Sequence, residues 1–138
     1  MKNMFSKVYW LSSFAVVLFT LLLTVPAALR AEFPQTQIRW IDVNQMKKII
    51  EAQAPAIVDL RTPREFAQGH IPGAVNIPID ELRANRTLLD ANKDQPVLLY
   101  CRTVNRTGRA LWMLEGRGFK LIYALKGGYA EYRCLHGN

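Results

Sequence analysis

The sequence predicts an α/β fold, a parallel sheet with helices on both faces. Two observations carry this expectation. Short apolar runs alternate along the chain with segments of helical periodicity. The inner runs, Ala56-Ile57-Val58-Asp59-Leu60 and Pro96-Val97-Leu98-Leu99-Tyr100, are apolar almost without alternation, as strands covered on both faces are.

The elements follow in order. Ile38-Arg39-Trp40-Ile41 reads as a short first strand. Asp42 with Gln45 three positions on has the form of a capping box, and Val43, Met46, Ile49 and Ile50 then recur at helical spacing until Pro55 breaks the helix. Residues 56–60 form the second strand. The polar segment from Arg61 to Gly69 has room for one helical turn after Pro63. Ala74-Val75-Asn76-Ile77, fenced by Pro72-Gly73 and Pro78, is the third strand. Ile79, Leu82 and Leu89 predict a helix over 79–90, and Pro96 to Tyr100 a fourth strand. Ala110, Leu111 and Leu114 predict a helix over about 107–115, ending near Gly116 and Gly118. Phe119 to Tyr123 is the fifth strand, and Gly127-Gly128 opens a last short helix.

Ahead of this domain stands a segment of another kind. Lys2 and Lys7 precede an apolar stretch over residues 8–29, and the small residues Ala27, Ala28 and Ala31 follow. A basic start, an apolar middle and a small-residue end define a secretory signal peptide, here 1–31. Cleavage after Ala31 fits better than after Ala27, since polar sequence begins at Glu32. The alternative is a retained membrane anchor over 8–29, a stretch long enough to cross a bilayer. A periplasmic or otherwise exported domain is therefore expected, with residues 32–37 as linker and 38–138 as the domain.

The full chain of 138 residues carries 18 basic and 11 acidic side chains. Three of the basic ones, Lys2, Lys7 and Arg30, belong to the leader, so the domain keeps only a modest positive charge. That field suits small anionic ligands. The basic residues are scattered along an exported chain, which does not point to nucleic acid. There are two cysteines, Cys101 and Cys134. An exported protein can keep a disulfide, so Cys134 reads as a bystander, a resolving thiol or a disulfide partner. With two histidines, only one of them near a cysteine, no metal-site spacing appears.

Cys101 stands directly after the fourth strand, at the head of the loop Cys101-Arg102-Thr103-Val104-Asn105-Arg106, and a helix follows. Ligands of open parallel sheets bind beyond the carboxyl ends of the strands. A strand–loop–helix turn can aim several backbone N–H groups at one sulfur, favouring a thiolate and an anion attached to it. Arg102 and Arg106 add two permanent charges, and Thr103, Asn105 and Thr107 add donors. Such a thiolate can attack the outer sulfur of thiosulfate, releasing sulfite and leaving a persulfide. Cyanide or a thiol then takes that sulfur away. Neither metal nor cofactor is required. On the loop alone, a buried structural cysteine at a strand end remains the competing account.

The rest of the chain bears on that choice. Val58-Asp59-Leu60-Arg61-Thr62-Pro63-Arg64-Glu65-Phe66, then Gly69-His70-Ile71-Pro72-Gly73-Ala74-Val75-Asn76-Ile77-Pro78, closely resembles the rhodanese homology domain, as does Leu125-Lys126-Gly127-Gly128-Tyr129. The resemblance spans about residues 38–133. It implies a rhodanese-like fold with a five-stranded parallel sheet and an active-site loop headed by the catalytic cysteine, here Cys101. It also implies a small exported thiosulfate sulfurtransferase, a monomer, in which Arg102, Thr103, Val104, Asn105 and Arg106 bind substrate. Partners are then a small anionic sulfur donor and a thiol or cyanide acceptor, with a membrane involved only if the leader is retained. A persulfide carrier or redox sensor serving a protein partner, and a non-catalytic binding module, are the alternatives on the same fold.

Two residues depart from the family's pattern. Many active members have Gly where this chain has Val104, and a β-branched residue tolerates φ > 0 poorly. The loop must avoid that conformation or be strained there. Tyr132 takes the place of a usual Trp. Phosphatases on this fold place Arg one position beyond Arg106, where this chain has Thr107, so the tighter loop favours attack on sulfur over phosphorus. Asp59, Arg61 and Glu65 read as ion pairs and turn capping rather than acid–base machinery. His70 reads as a hydrogen-bonded turn histidine, His136 as part of a frayed tail, and Trp112 and Met113 as packing residues.

Overall fold

The computed structural model describes residues 35–137; the signal segment expected at 1–31 and the start of the 32–37 linker lie outside them. The elements run β1 (Gln37–Ile41), α1 (Val43–Gln53), β2 (Ala56–Asp59), α2 (Pro63–Ala67), β3 (Val75–Asn76), α3 (Ile79–Ala84), a 3-10 turn (Asp90–Asn92), β4 (Val97–Tyr100), α4 (Asn105–Leu114), β5 (Leu121–Leu125) and α5 (Gly128–His136). The five strands form one sheet in the order β1-β5-β4-β2-β3, and every pairing is parallel. Among the described residues, no helix is long and apolar enough to cross a membrane.

Strand alternation divides the core in two. Val58, Val97, Leu99, Ile122 and Ala124 face one side, where α3 and α4 cover them with Ile79, Leu82, Ala110, Leu111 and Leu114. Ile57, Leu98, Tyr100, Tyr123 and Leu125 face the other, under Val43 and Met46 of α1 and against Tyr129 and Tyr132 of α5. Both faces of the central strands are therefore filled, and the residues of β4 are wholly buried. This is why β4 shows no alternation in the sequence.

Local chemistry sets the helix starts. Asp42 and Gln45 close a reciprocal capping box at α1, and Thr62 with Glu65 does the same at α2, where Pro63 takes the first turn. Three boundaries lie two or more residues from where the sequence predicts them. The helix expected over 79–90 ends at Ala84, because Asn85 turns to an extended conformation and its side chain accepts from both the backbone N–H and the hydroxyl of Thr87. Leu89 is still buried, but from the turn that follows. The fifth strand lies at 121–125, because its pairing to β1 starts at Gln37 opposite Leu121. Phe119 is buried ahead of it. α4 begins at Asn105, so the last two residues of the cysteine loop, Asn105 and Arg106, already belong to the first helical turn. At the other end His136 is not frayed: it sits in the last turn of α5, its ring stacked on Tyr132 and its Nδ1 2.8 Å from the Tyr132 carbonyl oxygen.

Candidate active site

Asp59 and Tyr100 are paired in register at the carboxyl ends of β2 and β4, and Cys101 follows at once. Its residue surface is only 1% exposed, while Arg102, Thr103, Val104 and Asn105 are exposed around it. Cys101 and Cys134 are both free thiols, and Cys134 lies exposed on α5.

Two helix N-termini meet at this loop and act differently. The N–H of Tyr129, in the first turn of α5, donates to the Cys101 carbonyl at 2.8 Å, and that of Ala130 donates to the Arg102 carbonyl at 3.0 Å. These bonds fix the direction of the loop's carbonyls. In a trans peptide the C=O and the following N–H point in opposite directions, and the described chain has no cis bond. The N–H groups of Arg102 and Thr103 are thereby turned away from α5. Among the described residues, no hydrogen bond is donated by any backbone N–H from Arg102 to Thr107; the series resumes with Gly108, which donates to Val104 at 2.9 Å. The last members of this row are the unpaired first-turn donors of α4. The N-terminus of α5 thus holds the loop, and that of α4 is left open for an anion.

Gly128 makes this contact possible. Its φ is +61°, and a Cβ there would lie less than 3.0 Å from the carbonyl oxygens of Cys101, Arg102 and Thr103. The Gly-Gly pair is visible in the sequence, but its role as the seat of the cysteine loop depends on a contact across the fold. Tyr129 and Ala130, which supply the two supporting N–H groups, carry no sequence signal for that role.

Val104 resolves the question its side chain raises. It has φ −136° and ψ −19°, so the loop avoids the left-handed region at this position. Arg106 is not a free charge: its Nη1 donates to Glu65 Oε2 at 2.7 Å, tying the first turn of α4 to α2. The Thr107 hydroxyl is buried with no hydrogen-bond partner among the described residues.

Beneath the loop lies a paired charge. Asp59 is wholly buried and accepts from the Arg61 backbone N–H at 2.9 Å and from its Nη2 at 2.7 Å. Arg61 Nη2 also donates to the Gly69 carbonyl at 2.6 Å, and the guanidinium lies 3.9 Å from the Tyr129 ring centroid. Burial opposes the Arg61 charge, but the hydrogen bond and the charge of Asp59 outweigh it and raise its pKa. Burial, foremost, pushes the Tyr100 hydroxyl far above its ordinary value, so it stays neutral and accepts the Ile71 N–H at 3.2 Å. Asp59, Arg61 and Glu65 are thus the ion pairs and caps expected of them. His70 is exposed, stacked on Phe66, with Nδ1 3.1 Å from the Phe66 carbonyl oxygen.

Glu65 gives a pH-dependent prediction. Burial alone would raise its pKa, but the Thr62 N–H and Arg106 hold it below the ordinary carboxylate value. Its contribution to stability is complete above the unfolded value of about 4.3 and is lost as pH falls through the lower folded one. Glu65→Gln keeps a capping side chain and removes the charge. It is expected to cost at most about 1 kcal/mol at pH 7, since the pair is partly exposed. In denaturation measured against pH, the gap to the unsubstituted protein should close on acidification below about pH 4.

Two cavities flank the loop. An open groove of about 740 Å³ runs along the outer side of α4 past Val104, Trp112 and Trp40. A smaller one, of about 190 Å³, lies on the α5 side between Arg61, Arg102, Tyr129 and Arg133. Among the described residues, no cluster of His, Cys, Asp or Glu has the makings of a metal site.

A five-stranded parallel α/β domain with a cysteine heading a loop of unpaired amides between strand and helix defines a class of protein built around a strand-end cysteine. Comparison with known proteins says which. The Rhodanese-like domain family matches residues 42–133, and the chain belongs to that family. The uncharacterized protein YqhL of Bacillus subtilis is 42% identical over 76 residues, covering 55% of this chain and 59% of its own length. Thiosulfate sulfurtransferase GlpE of Pseudomonas entomophila is 32% identical over 87 residues, covering 63% of this chain and 78% of its own. Among solved structures, a rhodanese-related protein from Thermoplasma volcanium is similar with a TM-score of 0.62 at 28% identity, over 71% of this chain and 93% of that one.

Proposed function

We propose that the protein moves sulfane sulfur from thiosulfate, or a donor like it, to cyanide or a thiol through a persulfide on Cys101. The observation that carries this reading is the row of uncommitted N–H groups from Arg102 to Thr107, beside a thiol at a strand end. The Cys101 thiolate attacks the outer sulfur of thiosulfate. The bond from that sulfur to the sulfonate group breaks, and its electron pair leaves with sulfite. The negative charge left on the outer sulfur is what unpaired amides and a helix N-terminus stabilise. Arg102, Thr103, Val104, Asn105 and Arg106 shape the pocket, Arg106 through its tie to Glu65. The relative named thiosulfate sulfurtransferase supports the donor. The leader-like residues 1–31 support export, with the domain acting as a monomer on small sulfur anions rather than on nucleic acid; a leader kept in place would hold it at a membrane.

Incubation with thiosulfate is expected to add the mass of one sulfur atom to the protein in intact mass spectrometry. Cys101→Ala should abolish the gain and reduce thiocyanate production from cyanide to background. No gain in the unsubstituted protein would end this reading. The same spectrum on protein recovered from its native host reports whether residues 1–31 are removed.

A further inference from the structure

The cavity on the α5 side of the loop carries a charge, that of Arg133, which sulfur donation does not use. Its volume of about 190 Å³ holds about six waters at roughly 30 Å³ each, enough for the tail of a small molecule. Arg61 in its wall is committed to Asp59, and Glu65 is neutralised by Arg106. Arg102 and Arg133 take part in no ion pair among the described residues. The cavity therefore presents two uncompensated guanidinium groups and no uncompensated carboxylate. It lies against the loop that Cys101 heads: Arg102, the next residue, lines it, and Tyr129 and Ala130, both in its wall, hold the Cys101 and Arg102 carbonyls.

Cyanide has no tail to fill such a space. We propose that the cavity is the acceptor subsite and takes the carboxylate tail of an anionic thiol, with Arg133 as a residue that sets acceptor specificity. This rests on the sulfurtransferase reading above. The acceptor thiolate forms a bond to the outer sulfur of the Cys101 persulfide. The bond from that sulfur to Cys101 Sγ breaks, its electron pair returns to Sγ, and the acceptor leaves as a persulfide; no oxidant or reductant enters. Both reactants are anions, so a carboxylate-bearing thiol is repelled unless its extra charge is neutralised, and Arg102 with Arg133 does so.

The test uses the full-length protein loaded with sulfur from thiosulfate and two acceptors that share one thiol: 3-mercaptopropionate and its methyl ester, which lacks the carboxylate. Each rate constant is compared with that of the unsubstituted protein, so the intrinsic reactivity of each thiol cancels. Arg133→Glu is expected to slow transfer to 3-mercaptopropionate about tenfold and to leave the ester within about twofold. Arg133→Lys should keep most of the rate, and added salt should shrink the difference. Equal slowing with both thiols, or no change with either, would overturn the subsite while leaving sulfur transfer intact. Failure of the unsubstituted protein to load sulfur, seen by mass before any acceptor is added, would overturn the sulfurtransferase reading and this one with it.

Discussion

Replacing Gly128 with alanine is expected to disable the cysteine loop and destabilise the domain together. The new Cβ would sit against three carbonyl oxygens of fixed backbone, those of Cys101, Arg102 and Thr103, in a residue with φ +61°. The left-handed conformation costs a non-glycine residue about 1–2 kcal/mol, and overpacking adds about 1–3 kcal/mol. Relief requires the loop to move off α5, which breaks the Tyr129 and Ala130 bonds that turn its amides. A shift of about 1 Å in reacting groups can cost about a hundredfold in rate, so thiosulfate-dependent thiocyanate formation should fall by at least about that factor. Gly73→Ala is the control: its φ is +78°, but nothing lies within 4 Å of its Cβ position. It should show the conformational penalty in denaturation and keep its turnover. Full activity in Gly128→Ala would show that the loop does not depend on its seat.

Arg61→Met should have the largest effect on stability. Asp59 is wholly buried, and Arg61 is its main partner. A buried pair that loses one member typically costs about 3–5 kcal/mol, because the remaining charge is uncompensated. For a domain of about 100 residues that lowers the thermal midpoint by more than about 10 °C. The effect reaches the active site, since the guanidinium stacks on Tyr129, whose N–H holds the Cys101 carbonyl. Adding Asp59→Asn to the same chain removes the stranded charge and keeps an acceptor for the Arg61 backbone N–H. It should recover part of the loss in thermal denaturation. A single variant as stable as the starting protein would mean that water reaches Asp59 and the pair is not a buried one.

The fold was legible in the sequence where one local cause sets the structure. Asp42 with Gln45 and Thr62 with Glu65 mark helix starts because capping involves residues three apart and little else. Unbroken apolar runs mark β2 and β4 because covering both faces removes the polar alternation. It was not legible where two local signals compete or where a neighbour decides. Leu89 kept the apolar spacing of a helix, but the Asn85 side chain bound the backbone of Thr87 and ended it. The start of β5 is set by pairing with Gln37 of β1, a partner far away in sequence. At the site, the order strand, cysteine, helix was legible, whereas Arg106 looked like a free charge until the fold brought Glu65 to it across 41 positions.

By itself the sequence determined the layered α/β class, the place of Cys101 at a strand end and the polarity of the helix that follows, because each depends on residues close together in the chain. Only the tertiary structure decided which of the loop's groups remain available. Gly128 and the first turn of α5 take up its carbonyls, Glu65 takes up Arg106, and the amides from Arg102 to Thr107 are left over. The physical reason is that a hydrogen-bonding group is free or engaged according to what other segments bring within about 3 Å of it, and residue type and spacing along one strand and loop do not fix that.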